Sequence, residues 1–391
     1  MLRPKTILLA LALLAVFGAS AWWFLGNRQG AADRGQRTVD VGELLGDGTG
    51  SAGFARALES RAFVFPRDHG AHPEFRNEWW YFTGNLRARD GRRFGYQLTV
   101  FRSALSPDVR GGTSSWATRQ AYMGHLALSD ASAGSFHYFQ RFSRGAAGLA
   151  GAGHQGMSVW IEDWKVSAVG DGSWRLRAAA GEGEDAVALD LVLQPRKPVV
   201  LQGDRGLSRK GGEPGNASYY YSLTRIATSG TVATTRGRWS VQGGSWLDRE
   251  WSTSVLAPGQ VGWDWFAVQL DSGDELMYYR LRKRDGSTDR HSQGVWVDAA
   301  GNVRRLRASD VVVEARGEWT SAETGVRYPS GWRIRVPKLE LSLDLDPLLD
   351  NQELDVLVRY WEGAVDVHGR AAGKASTGWG YVELTGYDRG G

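Results

Sequence analysis

An all-β chain is what the sequence predicts, and three observations carry that prediction. Glycine fills 52 of 391 positions against only 11 prolines. That is nearly twice the ~7% average, and it points to many tight turns rather than to collagen-like or Pro-rich structure. Short apolar-alternating segments follow one another, separated by turn signals such as Arg89-Asp90-Gly91, Asp171-Gly172 and Arg284-Asp285-Gly286. No long helical apolar period interrupts them, so barrels or sandwiches are favoured. The 18 tryptophans need pockets or half-buried rims, because each indole is bulky and carries an N–H that wants a partner.

Taken in order, the chain opens with Arg3 and Lys5, an apolar stretch from Ile7 to Phe17, and the small residues Gly18-Ala19-Ser20-Ala21 of an export cleavage site. Trp22 to Leu25 prolong the apolar run to about 20 residues, long enough to span a bilayer. Residues 1–26 are therefore expected to be a signal peptide or a membrane anchor. The globular part is expected to be exported, either periplasmic or anchored in the inner membrane facing the periplasm. Residues 27–60 read as a tether ending in a short helix around Ser51 to Leu58. Strands are expected over 79–86, 93–102, 124–128, 158–169, 174–179, 186–194 and 219–226. A weak repeat aligns Trp80–Leu86 with Asp264–Leu270, predicting two similar β domains, 61–242 and 243–391, with the boundary near Gly243.

Charge and composition exclude several function classes. Lys+Arg 47 against Asp+Glu 43 leaves no electrostatic footprint for nucleic acid, and the cluster Arg280, Arg282, Lys283, Arg284 is met by Asp285 and Asp289 as on a solvated hairpin face. The absence of cysteine rules out disulfides, lipoprotein attachment and thiolate metal sites. Among the seven histidines only His69 and His72 are compactly spaced, so no metal is expected. There is no Gly-x-Ser-x-Gly elbow and no phosphate- or dinucleotide-binding fingerprint, and no cofactor is expected.

Alternation along strands assigns side chains to faces. Asp264 shares a face with Phe266, Val268 and Leu270, opposite Trp263 and Trp265. Arg249 shares a face with Leu247 and Trp251, opposite Trp246, Asp248 and Glu250. Glu78 lies with Trp80, Phe82 and Leu86. Each is a lone ionisable group on an apolar face aimed at a barrel interior. Two readings follow: an internal Arg249–Asp264 ion pair, or an Asp264 carboxyl raised by burial among indoles into a usable proton donor.

Several motifs carry a resemblance to a known group. Asp68-His69-Gly70-Ala71-His72-Pro73-Glu74-Phe75-Arg76-Asn77-Glu78-Trp79-Trp80-Tyr81-Phe82-Thr83-Gly84, Gly95 to Arg102, Trp246-Leu247-Asp248-Arg249-Glu250-Trp251-Ser252, Gly262-Trp263-Asp264-Trp265-Phe266 and Tyr360-Trp361-Glu362-Gly363 resemble the AttH-like, or carotenoid 1,2-hydratase-like, lipocalin-related proteins. The resemblance implies two tandem lipocalin-like (calycin-type) antiparallel β-barrels packed together. It also implies membership of a group that includes carotenoid hydratases, fungal pericyclases and exported bacterial proteins associated with ABC export systems. Asp264 matches the family acid and Trp251 an aromatic site residue; the match departs at Arg249, where the hydratases carry histidine.

Two functions are therefore expected. The first is binding of a lipid or other hydrophobic small molecule in a Trp-lined cavity, with Glu78, Trp80, Phe82, Trp251, Phe266, Tyr360 and Glu362 as ligand contacts and an ABC transporter permease as a partner. The second is hydro-lyase chemistry, in which water adds to an isoprenoid C=C with Asp264 as proton donor and Arg249 beside it.

Overall fold

The computed structural model describes residues 51–107, 118–254 and 256–388. The leader at 1–26 and the tether up to residue 50 lie outside the described residues. Among the described residues the ordered elements are strands and short 3-10 turns.

Thirteen strands make the first sheet: β1 (Asn77–Ala88), β2 (Arg93–Ala104), β3 (Gln120–Asp130), β4 (Ser135–Arg144), β5 (Ala150–Ala152), β6 (Ser158–Ile161), β7 (Trp164–Gly170), β8 (Ser173–Ala180), β9 (Val187–Pro195), β10 (Val200–Leu201), β11 (Leu207–Arg209), β12 (Ala217–Thr234) and β13 (Gly237–Ser252). Their order is β4-β3-β2-β1-β13-β12-β9-β8-β7-β6-β5, with β10 and β11 added on β12. The second sheet uses β14 (Gln260–Leu270), β15 (Glu275–Lys283), β16 (Gln293–Val297), β17 (Val303–Arg307) and β18 (Val312–Ala315). A separate hairpin, β19 (Glu318–Thr320) with β20 (Arg327–Pro329), precedes β21 (Trp332–Val336), β22 (Leu341–Pro347), β23 (Glu353–Leu354), β24 (Tyr360–Ala371) and β25 (Lys374–Thr385). Here the order is β17-β16-β15-β14-β25-β24-β22-β21-β18, with β23 on β24.

Both sheets are antiparallel and curl around their own cores, giving the tandem lipocalin-like barrels. Trp80, Phe82, Leu86, Leu98, Leu126 and Leu247 fill the first; Phe266, Val268, Leu270, Trp332 and Trp361 fill the second. The strand order β2-β1-β13-β12 recurs as β15-β14-β25-β24. Register agrees with this: Tyr81 faces Asp248 and Gly84 faces Ser245, as Trp265 faces Glu383 and Val268 faces Gly380.

Three local expectations need correction. The chain leaves the first sheet between Ser252 and Gln260, not near Gly243, because β13 stays paired with both β1 and β12 to its end. The segment around Ser51 to Leu58 is not a helix. Gly53 takes a left-handed φ of 86°, and the stretch that follows lies extended over the first sheet, with Ala55 N–H donating to Glu74 O at 2.9 Å and Ala57 buried beside Tyr219 and Trp251. The single strand expected over 158–169 turns back at Glu162, whose φ of 57° reverses the chain between β6 and β7.

Candidate active site

In each barrel the inward face of the repeated strands is spent on the core. The outward face remains apolar and aromatic, so the two barrels cover one another with it. Tyr81, Tyr220, Trp246, Trp265, Ala267, Met277 and Tyr279 form this shared layer, and a cavity of about 90 Å³ opens within it. The space admits a few water molecules or the end of a ligand chain, well short of the ~300–1,000 Å³ that encloses a whole drug-sized molecule. Half-buried Trp79, Phe101, Leu256 and Trp263 line its more exposed part.

Four carboxyls line this cavity: Asp248 and Glu250 from β13, Glu362 from β24 and Glu383 from β25. Glu362 and Glu383 lie directly opposite one another in register, an arrangement that is unfavourable if both are ionised. Glu362 Oε2 accepts from Tyr81 O–H at 2.8 Å, and Glu383 Oε1 from Trp263 Nε1–H at 3.1 Å. Burial, then the neighbouring Glu383 charge, pushes the Glu362 carboxyl well above its ordinary value. Burial, reinforced by the charges of Asp248 and Glu250 against the Trp263 hydrogen bond, pushes Glu383 up to about 8.

Asp248 is the counterpart of Glu383 in the first sheet. Its oxygens accept from Ser222 Oγ at 2.5 Å, from Trp246 Nε1 at 2.7 Å and from Tyr220 O–H. Burial outweighs these donors and raises it to about 6. Glu250 is 3.1 Å from Lys210 Nζ. On the opposite wall His125 Nδ1 pairs with Tyr360 O–H, and its Nε2 lies 3.2 Å from Gln140 Oε1. Burial lowers this imidazole to about 4, so it is neutral at neutral pH. Among the described residues no group of three or more His, Asp or Glu side chains could hold a metal ion.

Of the residues singled out in the sequence, Tyr360 and Glu362 lie on this cavity. The others lie inside the barrels. The expected Arg249–Asp264 pair does not form, because each side chain finds partners in its own sheet. Arg249 Nη2 and Arg102 Nε each sit 2.5 Å from a Glu78 oxygen. Burial would raise Glu78, but the two guanidiniums hold it well below the usual carboxylate range. The Arg249 guanidinium lies 3.7 Å from the Trp80 ring centroid, and Trp251 stacks on His72 at 3.7 Å. Phe82 and Phe266 are core residues.

Asp264 accepts at Oδ2 from Arg280 Nε (2.9 Å), and at Oδ1 from Arg282 Nε (2.9 Å) and Tyr387 O–H (2.9 Å). Two guanidiniums and a phenol bind its oxygens, and it does not line the cavity between the barrels, so its geometry does not favour the proton-donor role expected of it. Asp248 and Glu383 are not recognisable as site residues from strand alternation, because they lie on the outward faces of their strands. The available signal was the acid recurring on the outward face, Trp246-x-Asp248-x-Glu250 and Tyr381-x-Glu383.

The AttH-like family model matches residues 56–387. The chain belongs to the AttH-like family. A crystal structure described as an AttH from Nitrosomonas europaea is 36% identical, covers 85% of this AttH-like chain and 100% of its own, and superposes with a TM-score of 0.75. Kievitone hydratase from Nectria haematococca, 12% identical over 85% of this chain and 97% of its own, shares the fold with a TM-score of 0.60. Kievitone hydratase from Fusarium solani subsp. phaseoli is 21% identical over 208 residues, 51% of this chain and 57% of that protein, so the match spans little more than half of the relative.

Proposed function

We propose that this AttH-like chain is a hydro-lyase that adds water across a C=C at the end of an apolar, isoprenoid-type ligand held between the two barrels. One observation carries the reading: Glu383, still reachable from the cavity, keeps a proton up to about pH 8 in a space walled by indoles and phenols. A carboxylic acid kept neutral at working pH is a competent general acid. The sequence likeness to a hydratase supports the same reaction class.

In the proposed reaction the Glu383 proton passes to the less substituted alkene carbon, and the π pair forms the new C–H bond. Positive charge develops on the more substituted carbon, where the faces of Trp265 and Tyr81 stabilise it. A cavity water forms the C–O bond and yields a proton to the Asp248 carboxylate. Return of that proton to Glu383 closes the cycle, with H2O as the net addition. Glu362 acts as a positioning residue, since it stands opposite Glu383 and holds the Tyr81 phenol at the cavity wall.

The test is incubation of the purified chain with neurosporene or lycopene in H2(18)O. A product heavier by one labelled water, absent with Glu383→Gln and retained with Asp264→Asn, is expected; unchanged substrate with the wild type refutes the activity. A second reading, ligand binding without chemistry, rests on the half-buried Trp79, Phe101 and Trp263. It predicts that fatty acids, phospholipids and polyenes quench tryptophan fluorescence equally in wild type and Glu383→Gln, with no product formed.

A further inference from the structure

A second concave surface lies apart from the acid cavity and has the opposite character. It is about 640 Å³ in volume and is formed where the segment around β11 meets the loop before β16, strand β17 and the turn after β21. Six cations line it: Arg209, Arg290, Arg304, Arg305, Arg307 and Lys338, all exposed. Two carboxylates answer them. Asp204 lies 3.1 Å from Arg305 and Asp310 lies 2.6 Å from Lys338. Arg209, Arg290 and Arg304 meet no carboxylate among the described residues.

The lining therefore carries a formal excess of 6 − 2 = 4 positive charges, equal to the +4 of the whole chain. Several strand arginines elsewhere do reach a carboxylate, as Arg175 and Arg177 reach Asp190 and Arg333 and Arg316 reach Asp344. An uncompensated cluster in a concavity focuses potential and raises the local concentration of anions. Guanidiniums present planar forks suited to tetrahedral oxyanions, where lysine offers only a point charge.

We propose that this groove binds a phosphate-bearing ligand, with Arg209, Arg290 and Arg304 as the unpaired donors. The phosphate group can arrive on a soluble ester or on the headgroup of an anionic lipid. The proposal is independent of the hydro-lyase reading, because none of these residues lines the acid cavity.

Titration of the full chain with inorganic pyrophosphate at low salt, followed by calorimetry, tests the soluble source. Co-sedimentation with phosphatidylglycerol-containing vesicles, against pure phosphatidylcholine vesicles, tests the lipid source. Arg290→Glu/Arg304→Glu is expected to weaken whichever binding occurs by roughly tenfold or more. The control Arg236→Glu/Arg238→Glu, at the exposed turn into β13, changes net charge equally and should leave binding within about twofold. Pyrophosphate binding alone identifies a soluble ligand; vesicle binding alone identifies a headgroup; either supports the groove when only the groove variant loses it. Absence of saturable binding in both arms, or equal loss in the control, overturns the proposal. All four substituted side chains are exposed, so unchanged far-UV circular dichroism is expected to separate lost binding from lost folding.

Discussion

Replacing Glu383 by Gln should remove activity and, at alkaline pH, stabilise the protein. Burial and the nearby acids raise this carboxyl from its ordinary 4.5 to about 8. Below pH 4.5 folded and unfolded chains are both protonated there. Between 4.5 and 8 the folded chain keeps a proton that the unfolded chain releases, so the wild type loses stability as pH rises, and above 8 the loss is complete. At ~1.36 kcal/mol per pH unit the ceiling is about 5 kcal/mol. Glu383 is only half-buried, so solvent screening leaves about 2 kcal/mol as the expected observable part. Gln keeps an oxygen for the Trp263 N–H and carries no charge, which removes this pH-dependent penalty. Urea denaturation at pH 4.5 and pH 9 reads the difference: near-equal stability at the acid end, and a variant more stable by about 2 kcal/mol at the alkaline end. Parallel pH curves for the two proteins would refute the reasoning, because they would mean that Glu383 ionises in the folded chain as it does in water.

Other consequences can be checked on the same material. The hydration rate should be highest between about pH 6 and 8, falling at lower pH as Asp248 gains a proton and at higher pH as Glu383 loses one; a steady rise to pH 9 would exclude Glu383 as the acid. Asp248→Asn should lower kcat by roughly 10²–10⁴-fold and abolish the acid limb of the profile. Glu78→Ala should cost about 3–5 kcal/mol, measured by urea denaturation, because it leaves Arg102 and Arg249 buried without their carboxylate. Asp264→Asn should lower stability by about 1–3 kcal/mol through the bonds to Arg280, Arg282 and Tyr387, while kcat stays near wild type.

The barrels were legible because strand alternation and turn chemistry are local. The face assignments along β14 and β13 hold residue for residue: Phe266, Val268 and Leu270 point into one core and Leu247 into the other. Partner choice was not legible. Arg249 and Asp264 each stood alone on an apolar face in the sequence, and nothing local shows that Arg102 and Glu78 come together from β2 and β1, or that Arg280 and Arg282 reach back to Asp264 across a hairpin. Asp248 and Glu383 were not legible for the same reason. A polar residue on an outward face looks solvated until a second barrel is known to cover it, and the covering is a long-range event. Trp263 and Trp265, which alternation places opposite Asp264, pack in the layer between the barrels and line the cavity as well.

Repetition explains why acids became buried at this interface, and departures from it explain why they need not act alike. Equivalent residues reach across in both directions: Asn85 Nδ2–H donates to Gly380 O at 2.9 Å as Gln269 Nε2–H donates to Ser245 O at 2.9 Å, and the equivalent Tyr81 and Trp265 donate to Glu362 and to Tyr220 of the opposite barrel. Such an interface places Asp248 and Glu383 in corresponding positions, one from each barrel. Around them the correspondence breaks. Ser222 stands opposite Asp248 where Glu362 stands opposite Glu383, so Asp248 gains a hydroxyl donor that lowers it, whereas the charges of Asp248 and Glu250 raise Glu383. Lys210 is paired with Glu250 on the first side, whereas Glu362 is met by the Tyr81 phenol rather than a cation. The two halves thus favour opposite protonation states near neutral pH, an ionised Asp248 and a protonated Glu383. A proton acceptor and a proton donor facing one aromatic cavity are what addition of water to a double bond requires, and they follow here from breaking a two-fold repeat at two positions.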